Sequence, residues 1–152
     1  MKIRAVPLLW ILSLANSVAA TTFGSPEEAV RALEDAYARR DADAAVAARD
    51  FTEEARRMLV RLGSGLDTEA DILKQTAEVL ELAYRKDLKE SIFRRFKGLR
   101  CAITGVVLVE DALVEVLEDC TLKTGRVSKE HLFVARTANG WRVITIPAES
   151  RR

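Results

Sequence analysis

Apolar positions recur at helical spacing through the first two-thirds of the chain and switch to strand spacing near Arg100. Ser25-Pro26-Glu27-Glu28 predicts a helix start. Ser25 can cap, Pro26 fits the first helical position and Glu28 completes a capping box. Ala29, Val30, Leu33, Ala36 and Tyr37 form the apolar stripe of this first helix, and Arg39-Arg40 suit its carboxyl end. Asp41 can cap a short second helix in which Ala45, Val46 and Ala48 allow close packing. A third helix is expected from near Thr52, with Ala55, Met58, Leu59 and Leu62 on its buried side, ending at Gly63-Ser64-Gly65. Thr68 to Asp71 opens a fourth, lined by Ile72, Thr76, Val79, Leu80 and Ala83. Its pattern runs on through Leu88, Ile92, Phe93 and Phe96, past a bend near Lys86-Asp87, and Gly98 closes it.

From Arg100 to Ile146 the pattern predicts four antiparallel strands joined by short turns. Glu110-Asp111 separates the first two, Gly125 lies in the next loop, and Asn139-Gly140 is a hairpin signal before the last. Pro147 ends the pairing. Leu132 and Val134 point to one side of the third strand, and His131, Phe133 and Ala135 to the other. Trp141 and Val143 likewise oppose Ile144 and Ile146. A sheet with apolar side chains on both faces is expected to curve strongly, with helices or a second subunit covering different parts.

The first residues change the picture of location. Lys2 and Arg4 precede an apolar run, and Ser17-Val18-Ala19-Ala20 offers small residues for cleavage, which together match a secretory signal peptide. The run is shorter than the ~20 residues a spanning helix needs. The expected division is a leader over residues 1–20 and one domain over 21–152, periplasmic or secreted, with no membrane attachment after cleavage. Losing Lys2 and Arg4 takes the balance from 24 basic against 23 acidic residues to 22 against 23. That near-neutral charge argues against nucleic acid as a partner. In an oxidising compartment the two cysteines can bond. With Glu110-Asp111 as the turn, Cys101 falls opposite Cys120, within disulfide reach.

Ser25-Pro26-Glu27-Glu28-Ala29-Val30-Arg31-Ala32-Leu33, Ala36-Tyr37, Arg40 to Ala44, and the closing Phe133 to Ile144 with its Asn139-Gly140-Trp141 resemble the two ends of NTF2-like domains. The resemblance implies an α+β, cone-like fold: N-terminal helices packed on a curved four-stranded antiparallel sheet around a central cavity. The early hairpin of many such domains is missing here, as in the shorter, mostly exported variants. The resemblance implies a binding or interaction module and a homodimer through the sheet. It also includes isomerase- and dehydratase-like enzymes that work by acid–base chemistry inside the cone.

Candidate chemistry is sparse. A single histidine, His131, excludes a histidine-rich metal centre. Glu115 sits among apolar neighbours on the second strand, where burial would raise its pKa and suit it to acid–base work. Alternation puts Glu118 on the opposite face. Tyr37 and Tyr84 are possible pocket hydroxyls. Each of these four also has a plain reading as a surface pair or a core aromatic. Arg85, Lys86, Lys89, Arg94, Arg95, Lys97 and Arg100 are a candidate patch for an anionic ligand or acidic partner, or simply a solvated helix face. No phosphate loop, nucleophile elbow or CxxC pair is present. The expectation is therefore a module for a small hydrophobic or anionic ligand, with no cofactor or metal.

Overall fold

The computed structural model describes residues 21–63 and 65–146. The expected leader, Ser64 and the expected stop at Pro147 lie outside the described residues.

Local chemistry sets the helix boundaries. Helix α1 spans Pro26–Arg39. Ser25 Oγ accepts from the Glu28 N–H at 3.2 Å, and Glu28 Oε2 accepts from the Gly24 N–H at 2.7 Å, one residue before the cap itself. Helix α2 spans Ala42–Ala47 and is capped by Asp41, which accepts from the Ala44 N–H at 2.9 Å. Helix α3, Phe51–Arg61, begins earlier than expected because Asp50 caps it, accepting from the Glu53 N–H at 2.8 Å. Helix α4, Ala70–Asp87, continues through a π turn at Leu88–Ile92 into α5, Phe93–Arg95. The π turn is the form the expected bend takes, and its extra residue resets the phase so that Leu88 and Phe93 are both buried.

The buried stripe of α4 is displaced by one position from the expected one. Ala77 and Tyr84 face the core with Leu73 and Leu80, while Val79 and Ala83 are exposed. Tyr84 decides this, because its ring packs against Phe51 of α3 with centroids 5.5 Å apart.

Strands β1 (Arg100–Glu110), β2 (Leu113–Thr121), β3 (Val127–Thr137) and β4 (Gly140–Ile144) form one antiparallel sheet in the order β1-β2-β3-β4. This overturns the expected cone-like NTF2-like fold and the resemblance behind it. The sheet is an open meander that neither closes nor curls. Each strand follows its neighbour through a short connection, so β1 and β4 end up at opposite edges. The two-sided apolar pattern has another origin than curvature. The helices cover one face, where Val114, Val116, Val134 and Val143 join the core with Val30, Leu33 and Tyr37. On the other face Leu113, Phe133, Ala135 and Ile144 form a separate small cluster. Each fully buried valine or leucine side chain contributes roughly 1.5–3 kcal/mol.

The two edges differ. Backbone from elsewhere in the chain occupies that of β4: Trp141 N–H donates to the Phe23 carbonyl, Val143 N–H to the Ala48 carbonyl, and Asp50 N–H to the Val143 carbonyl. Gly140 is required there, because at φ 84° a Cβ would stand 2.7 Å from the Phe23 oxygen. The outer edge of β1 carries exposed Val106, Val107, Leu108 and Val109.

Cys101 and Cys120 are bonded, and they face each other in the β1–β2 register. The turn is not where the spacing placed it: it is Asp111-Ala112, with Ala112 at φ 63°. Two register shifts in β1, between Ile103 and Gly105 and between Leu108 and Glu110, each absorb one residue and restore the cysteine pairing. Among the described residues no helix is long and apolar enough to cross a membrane.

Candidate functional site

Alternation along β2 puts Val114, Val116, Glu118 and Cys120 on the side facing the helices, and all four are buried. The register then sets Glu118 between Ile103 of β1 and Glu130 of β3. On α1, Glu34 follows Leu33 and lies one turn before Tyr37, which puts it at the margin of the apolar stripe. Strand β4 pairs only with the last part of β3, from Phe133 onward. Beyond it the sheet is three strands wide, and a cavity of about 440 Å³ opens between α1, the end of the long helix and β2–β3. Leu33, Ile92, Phe96, Leu99, Leu122 and Leu132 give it apolar walls. Glu34, Glu118, Glu130 and Arg95 are its charged groups, with His131 also at its lining.

Glu118 is the unusual member. It is 3% exposed, and its Oε1 is buried with no hydrogen-bond partner among the described residues. Burial, reinforced by the Glu34 and Glu130 carboxylates, pushes its pKa up to about 7. Glu34 is also raised, by burial first and then by Asp35, with Arg31 opposing. Glu130 accepts from Ser128 Oγ at 2.5 Å. The site therefore holds a carboxyl group poised between its charged and neutral forms beside an apolar void.

One oxygen each from Glu34 and Glu118 and the sulfurs of Cys101 and Cys120 lie within 4.8 Å of one another. The sulfurs are bonded to each other and are not thiolates. Two carboxylates remain, fewer than the three or four protein ligands of a zinc site, so the donor set does not fit a resident zinc ion.

A second polar cluster lies deeper. Tyr37 and Tyr84 share a hydrogen bond of 2.7 Å between their hydroxyls. Arg49 stacks over Tyr84 at 4.1 Å from the ring centroid, and it donates to Glu54 from Nη2 at 2.5 Å and from Nε at 3.1 Å. Burial opposes the Arg49 charge, but Glu54 outweighs it and holds the guanidinium above its usual range. Burial raises Tyr37 far above an ordinary phenol, with the Tyr84 oxygen adding to the effect. This cluster ties α1, α3, α4 and the end of β4 together.

The four sequence-selected candidates thus fall into two separate pairs. Tyr37 and Tyr84 satisfy each other in the interior. Glu115 and His131 meet on the outward face, with His131 Nδ1 2.9 Å from Glu115 Oε1. The basic residues have different surroundings. Arg85 is paired with Glu81 and Asp43 at 2.7 and 2.8 Å, and Lys86 lies 3.9 Å from Glu90. Lys89, Arg94 and Lys97 border a groove beside Phe93 and Phe96. Arg95 turns to the carboxylate cavity, and Arg100 starts β1 opposite Thr121.

Glu34 and the role of Glu118 escaped sequence reasoning. The signal for Glu118 was present: it shares parity with Val114, Val116 and the bonded Cys120, the most apolar side of β2. Comparison with protein-family models, with curated proteins and with solved structures finds no match to this chain. Fold and site define an α+β domain of helices on an open meander, with an apolar cavity floored by an unpartnered carboxyl.

Proposed function

We propose that this chain is an exported module that binds a small, largely apolar molecule without transforming it. The carrying observation is the cavity of about 440 Å³ with apolar walls and one buried polar acceptor, the usual make-up of a small-ligand site. Export, to a periplasm or outside the cell, is supported by the leader-like first twenty residues and by the disulfide. The edge of β1, which no other strand pairs among the described residues and where Val106 to Val109 are exposed, supports pairing with a second copy as a further element of the reading.

Titration with prodan, a neutral solvatochromic dye, tests the ligand site. Saturable one-to-one binding with a blue-shifted emission is expected. Leu132→Trp, which fills the void, should abolish it without lowering Tm by more than a few degrees. Dye binding that survives the filled cavity would remove the proposal.

A second reading, proton transfer on a bound molecule, is favoured by Glu118 alone, because its pKa of about 7 suits a general base. Two of the candidate acids are engaged elsewhere. The Tyr37 hydroxyl is engaged with Tyr84, and His131 with Glu115 on the outward face.

A further inference from the structure

We infer that the cavity takes an amine-bearing amphiphile, its ammonium group seated between Glu34 and Glu118 and its apolar body against Leu33, Phe96 and Leu132. The inference rests on the cavity being a ligand site and names the chemistry of its occupant.

Glu118 carries the argument. Its carboxyl is 3% exposed, it lines the cavity, and Oε1 meets no donor. A buried acceptor without a donor costs free energy that an incoming donor recovers. The donor is expected to be cationic, because the cavity carries three carboxyl groups. Glu34 comes from α1, Glu118 from β2 and Glu130 from β3, against Arg95 on the helical wall. An ammonium nitrogen offers three N–H donors. Carboxylate oxygens of Glu34 and Glu118 lie within 4.8 Å of each other, a gap that one nitrogen bridges with two charge-assisted bonds of about 2.8 Å. An anionic amphiphile meets repulsion there, and a plain hydrocarbon leaves Oε1 unpartnered. The apolar walls disfavour a hydrated inorganic cation, whose remaining water shell they cannot replace.

The groups facing Glu118 set its pH behaviour. Glu34 on α1 and Glu130 on β3 act on its charge, and Arg95 on α5 lines the same cavity; β1 contributes the uncharged Ile103 and the bonded Cys101, and His131 at the lining is engaged with Glu115. Glu118 is charged only above about pH 7, so the preference for an amine grows as pH rises through that value. Near pH 7 binding expels a proton from Glu118, because the ammonium stabilises the ionised carboxylate.

Isothermal titration of the full, oxidised protein at pH 8 with octylamine, octanol and octanoate, all below micelle formation, tests this. Octylamine is expected to bind at least about tenfold more tightly than octanol, with octanoate weakest. Glu118→Gln should erase the amine preference, and Glu34→Gln should reduce it. Repeating the octylamine titration at pH 7 in buffers of different ionisation enthalpy should reveal proton release. Equal binding of octylamine and octanol, or a preference that survives both substitutions, overturns the inference while the ligand site stands. Failure of all three probes and of prodan removes both.

Discussion

Glu115 and Glu118 stand three residues apart on the same strand and live in different solvents. Glu115 points outward and meets His131 at 2.9 Å, with side chains 24% and 46% exposed. Glu118 points under the helices, is 3% exposed and leaves one oxygen unpartnered. The residue type is the same and the backbone is continuous. Strand parity decides which carboxyl meets an exposed partner and which is buried and pushed toward neutrality. Exposed pairs such as Glu115–His131 contribute little because water screens them. Charges on the covered side are expensive, and each needs either a partner or a purpose.

The sharpest way to break that contrast is to orphan a covered charge. Arg49 and Glu54 are paired beneath the helices, with side chains only 11% and 6% exposed. Glu54→Ala leaves the guanidinium over Tyr84 and Phe51 without its carboxylate, with only the uncharged Thr145 and Tyr84 hydroxyls beside it. A loss of about 3–5 kcal/mol in urea unfolding is expected. A loss under about 1 kcal/mol would show that covered charges here are solvated after all. The disulfide comes next. Cys101 and Cys120 close a loop with a sequence separation of 19. The double change to serine should cost about 3 kcal/mol through the freed unfolded chain. The cystine joins edge strand β1 to β2 beside Glu118, so the variant also tests whether the covered site survives a looser edge.

How much of this was legible depended on the range of the interactions. Ser25 and Asp41 act within a few residues and cap where the sequence reading placed them, whereas the Asn139-Gly140 signal lies one residue past the turn itself, Ala138-Asn139, with Gly140 opening β4 opposite Thr137. The Cys101–Cys120 bond was also anticipated, though through a turn at Glu110-Asp111 that the structure moves to Asp111-Ala112. Bulges are invisible to spacing, and here two of them cancelled the error. The cone was wrong because apolar residues on both faces of β3 admit two explanations, curvature or two separate clusters. Only the full strand pairing distinguishes them. Tertiary contacts chose the buried side of α4, since stripes through Ile72 and through Leu73 both have helical spacing. Glu118 was passed over for a physical reason: it sits beside Asp119, whereas Glu115 sits between Val114 and Val116, and chain neighbours do not tell which strand face the helices cover.

The gentlest test compares the two carboxyls directly. In the unfolded chain Glu118 titrates near 4.5, and in the fold near 7, because burial and then Glu34 and Glu130 disfavour its charge. The folded state thus binds the proton more tightly. The associated stability is fully present below pH 4.5 and is lost as pH rises toward 7. At about 1.4 kcal/mol per pKa unit, the loss is no more than about 3 kcal/mol, and on that basis Glu118→Gln should flatten this part of the stability curve. Above pH 7 the variant should be the more stable protein, since a neutral amide replaces a buried charge of the same shape. Glu115→Gln removes an exposed pair instead, and it should shift stability by less than about 0.5 kcal/mol. Thermal melts of both variants from pH 4.5 to 8 decide the matter. If the Glu115 variant flattened the curve and the Glu118 variant did not, the outward face would be the one that disfavours charge, and the cavity would lose its buried acceptor.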